Sequence, residues 1–132
     1  NIDPFLVSSS VILIIAQRLV RVICPQCRQT CPDSASLIKQ FFPDKPADVP
    51  VYQGKGCEAC RFTGYRGRTA IFEMMVISDE IRELILKKMP THIIKQKAVS
   101  QNMKALRDAG WEKIMRGVTT IDEVVRVTQE ES

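Results

Sequence analysis

The sequence predicts an α+β fold, mainly helical, with short strands around a four-cysteine knuckle and a C-terminal helical bundle after it. Three observations predict this. Residues 23–77 hold all five cysteines, five of the seven prolines and four of the six glycines, the punctuation of loops and short strands. Arg68 to Ile77 is a nearly continuous apolar run, suited to a strand lying between two layers. From Ser78 onward, apolar residues recur at helical spacing between helix start and stop signals.

Taken in order, the chain divides into three zones. Residues 1–22 read as a helix opening near Asp3-Pro4, since proline suits the first helical turn. The stretch is apolar on most sides through Ile15, then turns basic at Arg18 and Arg21. A helix of that kind is normally buried against something larger, which suggests that the chain is a fragment. Within residues 23–77, Ala35 to Phe42 is expected to form one short helix between the cysteine pairs.

Residues 78–132 read as helical throughout. Ser78 is placed as an N-cap, Asp79 and Glu80 suit the first turn, and Ile81, Leu84, Ile85 and Met89 make one apolar stripe. Pro90 stops that helix, and Thr91 caps a second carrying Ile93, Ile94 and Ala98. A third spans roughly Asn102 to Arg116, with Gly117 at its C-terminal end. Thr120-Ile121-Asp122-Glu123 is a capping-box pattern that opens the last helix.

Size and composition exclude several classes. With 132 residues, 45% hydrophobic and 26% charged, the chain is long enough for one domain or two small lobes and is not disordered. The formal charge of +4 is too small to argue for nucleic acid or a membrane surface. The apolar run from Val11 to Ala16 is far short of the ~20 residues needed to span a bilayer.

An odd cysteine count, with four in Cys-x-x-Cys pairs, argues against a disulfide scaffold. Cys24-Pro25-Gln26-Cys27 and Cys57-Glu58-Ala59-Cys60 are separated by 29 residues. Each turn presents two sulfurs, and two turns complete a tetrahedron of thiolates around one ion, which makes structural Zn2+ the favoured reading over a redox pair or unrelated cysteines. Four protein ligands leave no open position for water or substrate, so the ion serves as a cross-link. Such cysteines must stay reduced, which favours a cytosolic setting. Cys31 follows Cys27 by four positions and reads as a free or partly buried thiol.

Lys55, Arg61, Arg66 and Arg68 flank the second pair, with Phe62 and Tyr65 among them. One reading is a zinc-ribbon surface for nucleic acid. The favoured one is that these cations offset a negatively charged thiolate site, so that no nucleic-acid partner is expected. No independent active site emerges. Gly54-Lys55-Gly56 lacks the spacing and hydroxyl of a phosphate loop, and Met74 to Glu80 reads as a strand followed by a helix cap. His92, the only histidine, has no nucleophile that sequence can pair with it. Trp111 and the methionines suit packing, and Glu58 suits solvent.

Several motifs occur together in order: Asp3-Pro4-Phe5-Leu6-Val7, Ala16-Gln17-Arg18-Leu19-Val20-Arg21, Cys24-Pro25-x-Cys27, Gly56-Cys57-x-x-Cys60, Thr63-Gly64-Tyr65-Arg66-Gly67-Arg68 before Ile71-Phe72-Glu73, and Gly117 to Val124. Together they resemble the C-terminal region of the type II secretion and type IV pilus assembly ATPases over nearly the whole chain. The resemblance implies a cytoplasmic, hexameric, RecA-like parent motor, peripheral to the inner membrane, that uses ATP and Mg2+ and drives fibre assembly through an inner-membrane platform protein. It implies that the phosphate loop and acidic boxes precede this region, and that the chain itself is noncatalytic. Residues 1–22 would end the motor core, 23–77 form the zinc module, and 78–132 form a terminal helical subdomain. The partners implied are the chain's own ATPase core and neighbouring subunits. Arg18 and Arg21, nearest the core, would approach nucleotide or a subunit boundary. Two departures stand out: Cys31 is extra, and Val11 to Ile15 is bulkier than the family pattern.

Overall fold

In a computed structural model of the chain, residue 10 and residues 13–101 and 103–129 are described. Their elements run β1 (Leu13–Ile23), β2 (Arg28–Thr30), α1 (Ser34–Phe41), β3 (Tyr52–Gly54), a single 3-10 turn (Glu58–Cys60), β4 (Tyr65–Val76), α2 (Asp79–Leu86), α3 (Thr91–Ser100), α4 (Leu106–Met115) and α5 (Ile121–Thr128). The class is α+β, as the sequence predicts. β1 pairs with β4 in one two-stranded sheet, and β2 pairs with β3 in another. The second pair is antiparallel, with Arg28 opposite Gly54, Gln29 opposite Gln53 and Thr30 opposite Tyr52.

The helix expected over residues 1–22 is corrected: Leu13–Ile23 is a strand. Ile14, Ile15, Val20, Val22 and Ile23 are β-branched, which costs χ1 freedom in a helix but suits a pleated surface. Pairing with β4 supplies the backbone partners. Leu13, Ile14 and Ile15 are also exposed, by 44%, 40% and 55%, rather than buried as that helix required. The expected helix start at Asp3-Pro4 lies outside the described residues.

Two compact units result: Asn1–Gln17 with Phe72–Ala105, and Arg18–Ile71 with Leu106–Ser132. In the first, Ile77, Ile81 and Ala98 are buried, with Met75, Ile85, Ile94 and Met103 packed on them. Ser78 caps α2 by accepting from the Ile81 N–H at 3.3 Å, and its hydroxyl donates to Gln101 at 2.8 Å. α2 ends at Leu86, before Pro90, with Lys88 in the left-handed region. Lys97 and Glu80 meet at 2.9 Å on α3 and α2.

The second unit has the larger core. Ile38, Phe42, Val51, Trp111, Ile114, Ile121 and Val124 are buried together with Cys31. The Phe42 and Trp111 rings lie 5.1 Å apart, tilted by 39°, within the range where aromatic pairs attract. The end of α4 explains why a glycine stands at 117. Its N–H bonds the Ile114 carbonyl and the Val118 N–H bonds that of Lys113, each at 3.0 Å, a pattern that needs the left-handed φ of 72° seen there. Thr120 caps α5 by accepting from the Glu123 N–H at 3.2 Å. Among the described residues, no helix is long and apolar enough to cross a membrane.

Candidate metal centre

Cys24 directly follows β1, and Cys27 directly precedes β2. The turn between them closes through Cys27 N–H to the Cys24 carbonyl at 3.3 Å. Cys57 leads into the 3-10 turn and Cys60 ends it, with the Cys60 and Phe62 N–H groups both bonding the Cys57 carbonyl, at 3.2 and 2.8 Å. Backbone bonds tie the two knuckles together: Cys24 N–H to Gly64 at 2.9 Å and Lys55 N–H to Cys27 at 3.1 Å. The backbones of Gly54 and Gly64 also meet closely. A Cβ on Gly54 would fall 2.1 Å from the Gly64 carbonyl oxygen, so no side chain fits that contact.

These ties bring all four sulfurs within 4.8 Å of one another. Three separations, Cys24–Cys57, Cys27–Cys60 and Cys57–Cys60, are each 3.8 Å. A tetrahedron with metal–sulfur arms of ~2.3 Å has edges of ~3.8 Å, whereas a disulfide needs ~2.05 Å. The four cysteines can therefore hold one metal ion, and all are free thiols. Cys24 and Cys60 are buried, while Cys27 and Cys57 are partly exposed.

Main-chain donors favour ionised sulfur here. Cys60 accepts from the Cys57 and Gly64 N–H groups at 3.3 and 3.2 Å, and Cys27 accepts from Gly56 at 3.3 Å. Burial pushes the Cys60 thiol up, but those two donors and the neighbouring thiols outweigh it and bring it down to about 6. At Cys27 the Gly56 donor pulls down, yet burial and the three other sulfurs prevail and raise it to about 11. Four sulfurs this close cannot all ionise without a cation among them. Cys31 is outside the group; it lies in the apolar core, its N–H on the Val51 carbonyl at 2.8 Å.

Arg18 and Arg21 both lie on β1, the strand that leads into Cys24. Arg21 is engaged within its own unit. Its backbone N–H and one guanidinium nitrogen donate to the Glu123 carboxylate at 2.7 and 3.0 Å, and its guanidinium sits 4.1 Å from the Tyr65 ring centre. Arg126 reaches the same carboxylate with two donors, at 3.2 and 3.0 Å. Only 1% of the Glu123 side chain is exposed. Burial pushes its pKa up, but the arginine donors overcome that and hold it at about 2. The Tyr65 hydroxyl lies 2.8 Å from that of Thr120, and Thr119 donates to the Arg21 carbonyl at 2.7 Å. Sequence reading missed this junction. The capping box flags Glu123, but nothing local points to a partner 102 residues away.

Residues 1–126 match the family model described as Type II/IV secretion system protein. The chain is 37% identical over 130 residues to the Type II secretion system ATPase E of Vibrio cholerae, covering 98% of this chain and 26% of that protein. It is 42% identical over 128 residues to the Type IV pilus assembly ATPase PilB of Myxococcus xanthus, covering 95% of this chain and 23% of that protein. It is also 38% identical over 132 residues to PilB of Thermus thermophilus, with 98% of this chain and 15% of that one covered. The chain thus spans about a quarter or less of the length of these curated relatives. A match over all but the last six residues settles the family: the chain belongs to the type II/IV secretion system proteins.

Proposed function

We propose that this chain is the noncatalytic C-terminal region of an ATPase that powers type II secretion or type IV pilus assembly, and that its four cysteines hold one structural zinc ion. The observation that carries the reading is the trio of 3.8 Å sulfur separations. Zinc accepts four thiolates in a tetrahedron, and four protein ligands leave it no site for water. When bound, it supplies positive charge and a cross-link, not a reacting group. The chain's own part is to fix the segment from Cys24 to Gly64 by N–H···S bonds, the Gly54–Gly64 contact and the paired strands β2 and β3.

On this reading, residues 1–22 belong to the end of a RecA-like motor core, 23–77 form the metal module, and 78–132 form a helical subdomain. ATP and Mg2+ bind elsewhere in the parent, a hexamer on the cytoplasmic side of the inner membrane. The metal module keeps nucleotide-driven movement from being lost in a loose loop before it reaches the platform protein. The names of these relatives support the secretion or pilus context. Arg18 and Arg21 approach nucleotide or a subunit boundary.

The test uses the complete motor carrying Cys24→Ser with Cys60→Ser. The proposal expects one zinc per subunit in the unaltered protein, loss of zinc in the variant, and loss of secretion or piliation. Full zinc loss with intact folding and secretion would sink the structural role. ATP hydrolysis by the 132-residue chain alone would sink the noncatalytic one.

A further inference from the structure

Phe62, on the second knuckle, is 71% exposed, the most of any large apolar residue among those described. One exposed apolar side chain is ordinary, but this one sits on a fixed backbone. Arg61 and Phe62 both occupy the left-handed region, with φ of 55° and 63°, a conformation costly for residues with a Cβ. Three hydrogen bonds hold it: Arg61 N–H to the Glu58 carbonyl at 3.1 Å, Phe62 N–H to that of Cys57 at 2.8 Å, and Thr63 N–H to that of Cys60 at 3.2 Å. The Gly56 backbone closes in as well, since a Cβ there would fall 3.1 Å from the Phe62 carbonyl oxygen. An aromatic ring on a fixed backbone loses little freedom on binding, and aromatic residues and arginine carry much of the energy of protein contacts. Arg61, which precedes the ring, and Lys55, next to Gly56, are exposed cations with no ion-pair partner among the described residues.

The complementary chemistry occurs on the first unit. There α2 and α3 line an open groove of about 460 Å3. Leu84 and Ile93 supply its apolar lining, and Glu80 and Glu83 its carboxylates. Lys97 also lines it but pairs with Glu80 at 2.9 Å. Glu83 is exposed and has no ion-pair partner among the described residues. The groove thus offers an apolar bed and one uncompensated negative charge. The knuckle offers a ring and two uncompensated positive ones.

We infer that the Phe62 knuckle of one copy of this chain docks in the α2–α3 groove of a second copy, with Arg61 facing Glu83. The two surfaces differ, so the contact is heterologous, and a pair of copies keeps one knuckle and one groove free for further copies. The inference rests on neither the metal nor the motor reading, since it uses no metal ligand and no nucleotide.

Its test is the self-association constant of the 132-residue chain, measured by sedimentation equilibrium in low salt up to about 0.5 mM. Phe62→Ser should lower that constant about tenfold. Glu83→Arg and Arg61→Glu each set like charges together and should each lower it about tenfold; the two exchanged in one chain should return it to within about threefold of wild type. Val76→Ser removes another apolar side chain, 65% exposed and outside the groove, and should change it less than about twofold. In a second arm, benzoylphenylalanine replaces Phe62 in an equal mixture of light and heavy-isotope chains. Irradiation should join it to α2 or α3 in peptides of mixed isotope. A monomer at every concentration, crosslinks within one isotope only, crosslinks to another surface, or no rescue by the double exchange would overturn the docking.

Discussion

The second unit buries Phe42, Trp111, Ile114 and Val124 in one cluster and adds four converging sulfurs, whereas the first buries Ile77, Ile81 and Ala98 and adds a capped helix and surface ion pairs. The difference follows from composition. Residues 43–68 of the second unit carry three prolines, four glycines and few large apolar side chains. Such a segment cannot repay its conformational entropy by burial alone. Sulfurs, N–H···S bonds and a glycine–glycine contact fix it where apolar area is missing. Among its described residues, the first unit has no comparable loop to hold.

Breaking the sulfur group should have the largest effect. Chelation, or Cys60→Ser, should strip hydrogen-exchange protection from the Cys24–Gly64 segment, while the amides of Ile81 and Ala98 keep most of theirs. Equal loss in both units would erase the contrast. Next comes Trp111→Ala, which removes the ring against Phe42 and should destabilise the chain by about 3–5 kcal/mol in urea unfolding. A loss below about 1 kcal/mol would mean that the aromatic pair does not anchor the core.

Glu123→Gln comes next, because it tests a polar hub within the apolar-rich unit. Losing the charged acceptor for two arginines should cost about 2–3 kcal/mol near neutral pH. The folded pKa, about 2, lies below the ordinary 4.5, so ionised Glu123 stabilises the fold fully above 4.5. That contribution fades as pH falls from 4.5 toward 2. The stability gap between wild type and variant should therefore close over that window, and a gap independent of pH would contradict the pairing. Smallest is Ser78→Ala in the first unit, expected to cost about 1 kcal/mol through loss of the α2 cap. No loss there would assign the order of α2 to packing alone.

Much of this was legible in local chemistry. The two Cys-x-x-Cys turns named the sulfur group, Gly117 named the end of α4, and Ser78 and Thr120 named helix starts, because each feature acts within a few residues. α1 fell within one residue of its expected bounds. The first zone was misread for a reason of the same kind. An apolar run beginning after Asp3-Pro4 carries a helix start signal, but its β-branched residues found a strand partner about 50 positions away in β4. Long-range pairing leaves no mark in a short window. The same holds for Glu123, whose box position was visible but whose arginine from β1 was not. Arg68 looked like one more cation offsetting thiolates; only the fold sets it beside Arg21 and Arg126.

The geometry of the sulfur group remains the centre of the account, and X-ray absorption at the zinc edge tests it most directly. The purified chain should show one zinc with four sulfurs at about 2.3 Å and no lighter ligand. A shell containing nitrogen or oxygen, or a chain with no metal and oxidised cysteine pairs, would contradict it.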